Sequence, residues 1–179
     1  MNNVLLINEN YIKENSPVYD SVDPKIIKSH IFEAQNINYK YLLPTDLYDD
    51  LFNQLETYRL YKIGGGTNPI EDEVDARLLE LLEESKPLLL YYTLYNATYS
   101  LYSRITNKGI NTQTSDYSDN LDFEILEKMK KDWKHKAESY SNLLLEFLDD
   151  NNSLYPEYKK ICDSNNKPYS SPLYLGDEI

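Results

Sequence analysis

Residues 88–103 read LLLYYTLYNATYSLYS, sixteen positions without a charged side chain, a glycine or a proline. A helix through this run is apolar or aromatic nearly all round, so it has to be covered nearly all round. It is shorter than a bilayer-spanning helix and rich in hydroxyl and amide groups, which places it inside a protein rather than a membrane. Projected at about 100° per residue, Leu90, Leu94, Ala97, Leu101 and Ile105 fall on one stripe, and Tyr91, Tyr95, Tyr99 and Tyr102 on a second. The leucine stripe is expected to face the chain's own core. Part of the tyrosine stripe is expected to face a neighbouring subunit or the chain's own tail, with a purely internal role as the alternative.

The segments around this run supply the cover. SVDPKIIKSHIFEAQN has Ser21 or Asp23 as a cap and Pro24 in the first turn, where its missing N–H costs nothing. Ile26, Ile27, His30, Ile31, Ala34 and Ile37 then recur at helical spacing, with His30 a hydrogen-bonded boundary residue rather than a ligand. A second helix over 45–58 turns Leu47, Leu51, Phe52 and Leu55 inwards, and IGGGTNP at 63–69 reads as a flexible linker. Residues 71–84 turn Val74, Leu78, Leu81 and Leu82 inwards and carry seven acidic residues against Arg77 alone, a solvated negative face. Pro87 either restarts a helix or kinks one long helix that runs to about Asn107. Lys108 and Gly109 then read as a helix end, with glycine in the left-handed position. The last long helix starts near Asp119 or Asp122 and carries Phe123, Leu126, Trp133, Ala137, Tyr140, Leu144 and Phe147 on its apolar side, with His135 exposed.

Two stretches do not join this pattern. Residues 105–120, ITNKGINTQTSDYSDN, are almost wholly polar and able to pair as a strand or hairpin, but cannot bury enough to hold themselves in place. Residues 153–179 hold three prolines and four tyrosines without a helical period. The expected architecture is therefore mainly α: a bundle of about five helices over 1–152, with an extended inter-helix loop or arm at 108–121 and an extended C-terminal arm at 153–179. Tyrosine is used 18 times against 4 phenylalanines, a balance that suits surfaces apolar on one side and wet on the other. The candidate interface is accordingly Tyr91, Tyr95, Tyr99, Tyr102, Lys108, Gly109, Tyr117, Tyr155, Tyr158, Tyr169 and Tyr174.

Several functions are disfavoured. A net charge of −12 opposes binding to nucleic acid by counterion release. Two distant histidines and one cysteine, Cys162, give no metal-ligand set, and a lone cysteine cannot form an internal disulfide. The start of the sequence has no signal or anchor pattern, so the sequons at Asn96 and Asn151 carry no weight, and no membrane partner is expected. No phosphate loop, dinucleotide fingerprint, calcium loop or nucleophile elbow occurs. No cofactor and no enzymatic activity are expected.

The runs IFEAQNINYKYLLPTDLYDDL, RITNKGI and KAESYSNLLLEFLDDNNSLYPEY, spread over residues 20–158, resemble head–tail connector (adaptor ring) proteins of tailed phages, especially those of crAss-like and other Bacteroidetes phages. The resemblance implies a helical virion subunit, made and assembled in the host cytoplasm, that forms a twelvefold homo-oligomeric ring under the portal protein. A further neck or tail protein would lie beyond it, and DNA would pass through the channel without specific binding. In that setting residues 105–120 order against a neighbouring subunit or the portal, and the acidic face of residues 71–84 lines the channel or faces solvent. The rival from another class is a monomeric acidic helical module that blocks a host factor by mimicking acidic surfaces.

Overall fold

The computed structural model describes residues 4–18, 21–106, 109–112 and 123–158; for 102–106 and 109–112 it describes the backbone alone. The protein is mainly helical. Its elements are α1 (Glu9–Asn15), α2 (Pro24–Glu33), α3 (Thr45–Ile63), α4 (Ala76–Tyr102), β1 (Ser103–Thr106), β2 (Gly109–Thr112) and α5 (Phe123–Asp150). α4 holds the charge-free run and is the central element, with α5 laid along one side and α2 along another. Of the leucine stripe, Leu90, Leu94 and Ala97 are buried and Leu101 is partly buried, and Leu88 and Leu89 beside it are buried as well.

Local chemistry sets the helix ends. Asn8 accepts from Tyr11 N–H at 2.8 Å to cap α1, a short helix that the sequence reading did not anticipate. Asp23 accepts from Lys25 N–H at 2.9 Å with Pro24 in the first turn, as expected for α2. Asp75 caps α4 through the Arg77 N–H at 3.0 Å. α3 runs to Ile63, a turn beyond the expected end, and Gly65 follows at φ 92°, where a side chain would be strained. The expected flexible linker is organised here by one ring: the Tyr61 hydroxyl accepts from Thr67 N–H at 3.2 Å and from Asn68 N–H at 3.3 Å.

α2 passes into a π-helical turn, Ala34–Tyr39, with Lys40 N–H reaching the Gln35 carbonyl five residues back at 3.2 Å. The extra residue per turn rotates the phase of the apolar face. Ile37, expected inside, is 54 % exposed, while Gln35 and Tyr39 are fully buried. The Gln35 amide accepts from Leu6 N–H at 3.2 Å and donates to the Val4 carbonyl at 2.9 Å, clipping the extended segment before α1 to the core. Tyr39 and Ser85 share a hydrogen bond at 2.8 Å between hydroxyls, and burial pushes the Tyr39 phenol far above its ordinary value.

Pro87 lies inside one continuous 27-residue α4 and does not start a new helix. α4 leaves helical geometry at Tyr102, not near Asn107. Ser103–Thr106 pairs antiparallel with Gly109–Thr112, Ser103 opposite Thr112 and Thr106 opposite Gly109. Gly109 therefore opens a strand rather than stopping a helix. The β-branched Ile105, Thr106, Ile110 and Thr112 favour the extended state, and cross-strand pairing satisfies the backbone groups that the lost helical turn would have used. Among the described residues this sheet has two strands.

The C-terminal boundary also moves. Tyr155, assigned to an extended arm, is fully buried and tilted against Phe147 at 5.7 Å, and Tyr158 packs against the same core. The helical domain thus reaches residue 158.

Candidate functional site

α4 and α5 run antiparallel, and the tyrosine stripe of α4 lies largely against α5. Tyr91 stacks on Tyr140 with centroids 5.5 Å apart and planes 11° from parallel, and the Lys136 ammonium sits 5.2 Å from the Tyr91 ring. Tyr92, absent from the candidate set, shares a hydrogen bond with the Ser141 hydroxyl at 3.4 Å, and its burial raises its pKa. Lys130 lies 5.2 Å from the Tyr95 ring and 4.0 Å from that of Tyr99, and the Tyr99 hydroxyl donates to Glu127. Cations over aromatic faces contribute about 0.5–1 kcal/mol each where exposed. Much of this stripe thus has a partner within the chain, the role weighed as the alternative.

The stripe opens to solvent at one end. Tyr99 is 41 % exposed, and Phe123, one helical turn before Glu127, is 62 % exposed instead of facing inwards. Ile125 is half exposed on the other flank of α5. Tyr99 and Phe123 lie at the end of the α4–α5 pair from which β1 continues, whereas Ile125 is on the solvent side of α5, in helical phase with the exposed Leu143. Burying the Phe123 and Ile125 side chains against a partner would contribute roughly 1.5–3 kcal/mol each. The helical period could not reveal this, because it reports which face a residue is on and not where the covering helix stops.

Of the other candidate residues, Tyr102 closes α4 and Gly109 opens β2, with side-chain environments outside the described set. Lys108, Tyr117, Tyr169 and Tyr174 lie outside the described residues. Tyr155 belongs to the core and Tyr158 is half-buried against it.

The sequence reading also missed a charged junction. Arg77 reaches Asp50 at 2.8 Å, Asp75 at 3.2 Å and Glu157 at 3.0 Å, joining α3, the cap of α4 and the turn after α5. Its residues pair with one another and fasten these three parts of the fold together. Among the described residues no three His, Cys, Asp or Glu side chains converge to hold a metal ion, and no helix is long and apolar enough to cross a membrane.

A groove of about 910 Å³ lies between the extended segment 4–8, the end of α3 and the first half of α4. Its walls are mostly aliphatic. Arg59, Lys62 and Lys86 stand on its rim together with Glu71, Glu80 and Glu83.

Residues 39–168 match the model of a protein family described as a family of unknown function, DUF6712. No curated protein and no solved structure matches the chain.

Proposed function

The chain belongs to the DUF6712 family, and from that premise, together with its fold and its uncovered end, we propose that it is a structural virion protein: a subunit of a head–tail connector ring that docks under the portal and lines the DNA channel. The observation that carries this reading is the β1–β2 hairpin that continues α4 past the exposed Tyr99, with Phe123 exposed at the start of the neighbouring α5. An isolated two-stranded sheet is marginal in water, and among the described residues no third strand pairs with either edge. A hairpin edge next to an apolar end is the surface that an adjacent copy completes, by strand pairing and by covering the rings. The resemblance of residues 20–158 to phage connector proteins supports the same assignment, and an axial channel agrees with the net charge of −12, which does not grip DNA.

Native mass spectrometry of the isolated chain, alone and with the portal protein, tests it. Closed rings, or co-migration with portal, are expected, and Phe123→Ser with Ile125→Ser is expected to shift the population to monomer while the helical signal is kept. A chain that stays monomeric at high concentration with portal present overturns the reading and favours the acidic module that binds a host factor. Electron microscopy of particle necks then places the subunit at the vertex or excludes it.

A further inference from the structure

We propose that the groove between residues 4–8, α3 and α4 is the seat of the chain's own C-terminal segment, residues 159–179. The described chain ends at Tyr158, one residue past Glu157, which is paired with Arg77. On a helical projection Arg77 and the groove residues Leu79, Leu82 and Lys86 lie on opposite flanks of α4, and the surface between them carries the exposed Glu80, Glu83 and Glu84. Neither Glu80 nor Glu84 forms a salt bridge among the described residues. The next residues of the chain are Lys159 and Lys160. A chain leaving Tyr158 across α4 lays these two cations over the two glutamates on its way to the groove.

The reach is ample. At about 3.3 Å per extended residue, the stretch from Lys159 to Pro168 spans about 30 Å, against roughly 10 Å for the width of a helix. What arrives is KPYSSPLYLGDE, with Tyr169, Leu173 and Leu175 at alternating or near-alternating positions and Pro168 and Pro172 favouring an extended backbone. The groove offers aliphatic walls to these side chains, from Leu55, Ile63, Ile70, Leu79 and Leu82. Asp177 and Glu178 then follow, and the rim supplies Lys62, with Lys86 close by and paired with Glu83. The order of charge and apolar character along the segment therefore repeats the order along its path. Tethering makes the encounter intramolecular, with an effective concentration in the millimolar range for a short linker. Seating in cis is thereby favoured over seating in another copy.

The test uses the full chain with a nitroxide on the cysteine introduced by Ser171→Cys in a Cys162→Ser background. Amide signals of residues 5–7 and 79–86 are expected to lose intensity in the isotope-labelled, spin-labelled protein. They are expected to keep it when isotope-labelled chains without nitroxide are mixed with spin-labelled chains lacking the isotope. Intensity kept in both samples overturns the proposal, and so does loss that appears equally in the mixture, which would seat the segment in another copy. Adding Tyr169→Ser, Leu173→Ser and Leu175→Ser leaves the described domain untouched and is expected to restore the groove signals. Broadening that survives this change also overturns the proposal. The outcome does not depend on whether rings form.

Discussion

The Tyr155 hydroxyl donates to the backbone carbonyl of Arg77 at 2.8 Å, while the Arg77 guanidinium holds Glu157 at 3.0 Å. Side chain and main chain of one residue at the start of α4 thus fasten both ends of a three-residue stretch beyond α5. Tyr155→Phe keeps the ring and loses the hydrogen bond, at an expected cost of about 1 kcal/mol. Tyr155→Ala also opens a cavity in the core and is expected to cost about 3–5 kcal/mol, as for other large buried rings. Urea unfolding midpoints at constant slope check both values.

The same junction makes stability depend on pH. Partial burial pushes the Glu157 carboxyl up, but hydrogen bonds from Arg77 and from the backbone, with the Arg77 charge, outweigh it and leave it below the usual carboxylate range. A group depressed in the folded state contributes fully above its unfolded value, about 4.3, and loses that contribution as pH falls through its lower folded value. Glu157→Gln is therefore expected to lower stability at neutral pH and to flatten the acid limb of a midpoint-against-pH curve. Equal acid limbs for the two proteins would remove Glu157 from the account.

At the alkaline end the sign reverses. Burial, with Glu80 beside it, pushes the Tyr155 phenol up to about 12. Its contribution is complete below the ordinary phenol value near 10 and is lost as pH rises towards the folded value. Tyr155→Phe is expected to shift the onset of alkaline unfolding upwards, relative to its own neutral stability, measured by circular dichroism.

Gln35 satisfies two backbone groups of the N-terminal segment from a fully buried position. Gln35→Leu is close in volume but strands the Leu6 N–H and the Val4 carbonyl, at an expected cost of about 1–3 kcal/mol for each group that stays buried. The chain can avoid this by releasing the segment. Hydrogen exchange at Leu6 is therefore expected to accelerate far more than exchange along α5.

A methyl group on Gly66 would meet the Tyr61 ring at 2.2–2.5 Å, inside contact distance. Gly66→Ala is expected to expel that ring and with it the two hydrogen bonds that order the loop. A loss of about 1–2 kcal/mol follows. In a Tyr61→Ala background the same change is expected to cost little, and the double-mutant cycle measures the difference.

The sequence made the central helix, the caps at Asp23 and the inward residues of α3 legible because each rests on spacing or on a local donor and acceptor. The phase of α2 was lost at Ala34, since a period of 3.6 carries no mark of the residue that a π-turn inserts, and so Ile37 was expected inside and Gln35 was not. Arg77 and Tyr155 come together over a separation of 78 residues, and no short-range pattern encodes that meeting. The end of α4 was misplaced because Ile105 continues the helical stripe in register while also suiting a strand. At the candidate interface, the stripe pointed to tyrosines, but their company on α5 depended on where Lys130, Lys136 and Tyr140 fall along a second helix. The exposure of Phe123 followed from the point at which that second helix runs out of cover.

Tyr155 also sets a timetable. The ring that plugs the core beside α4 emerges from the ribosome after every helix described here, so a nascent chain can form α1 to α4 and still lack the piece that shuts their shared interior. Domains fold as units during synthesis, and for this one the unit is incomplete until translation has passed residue 155. Until then the half-built bundle leaves leucines of its interior bare to water.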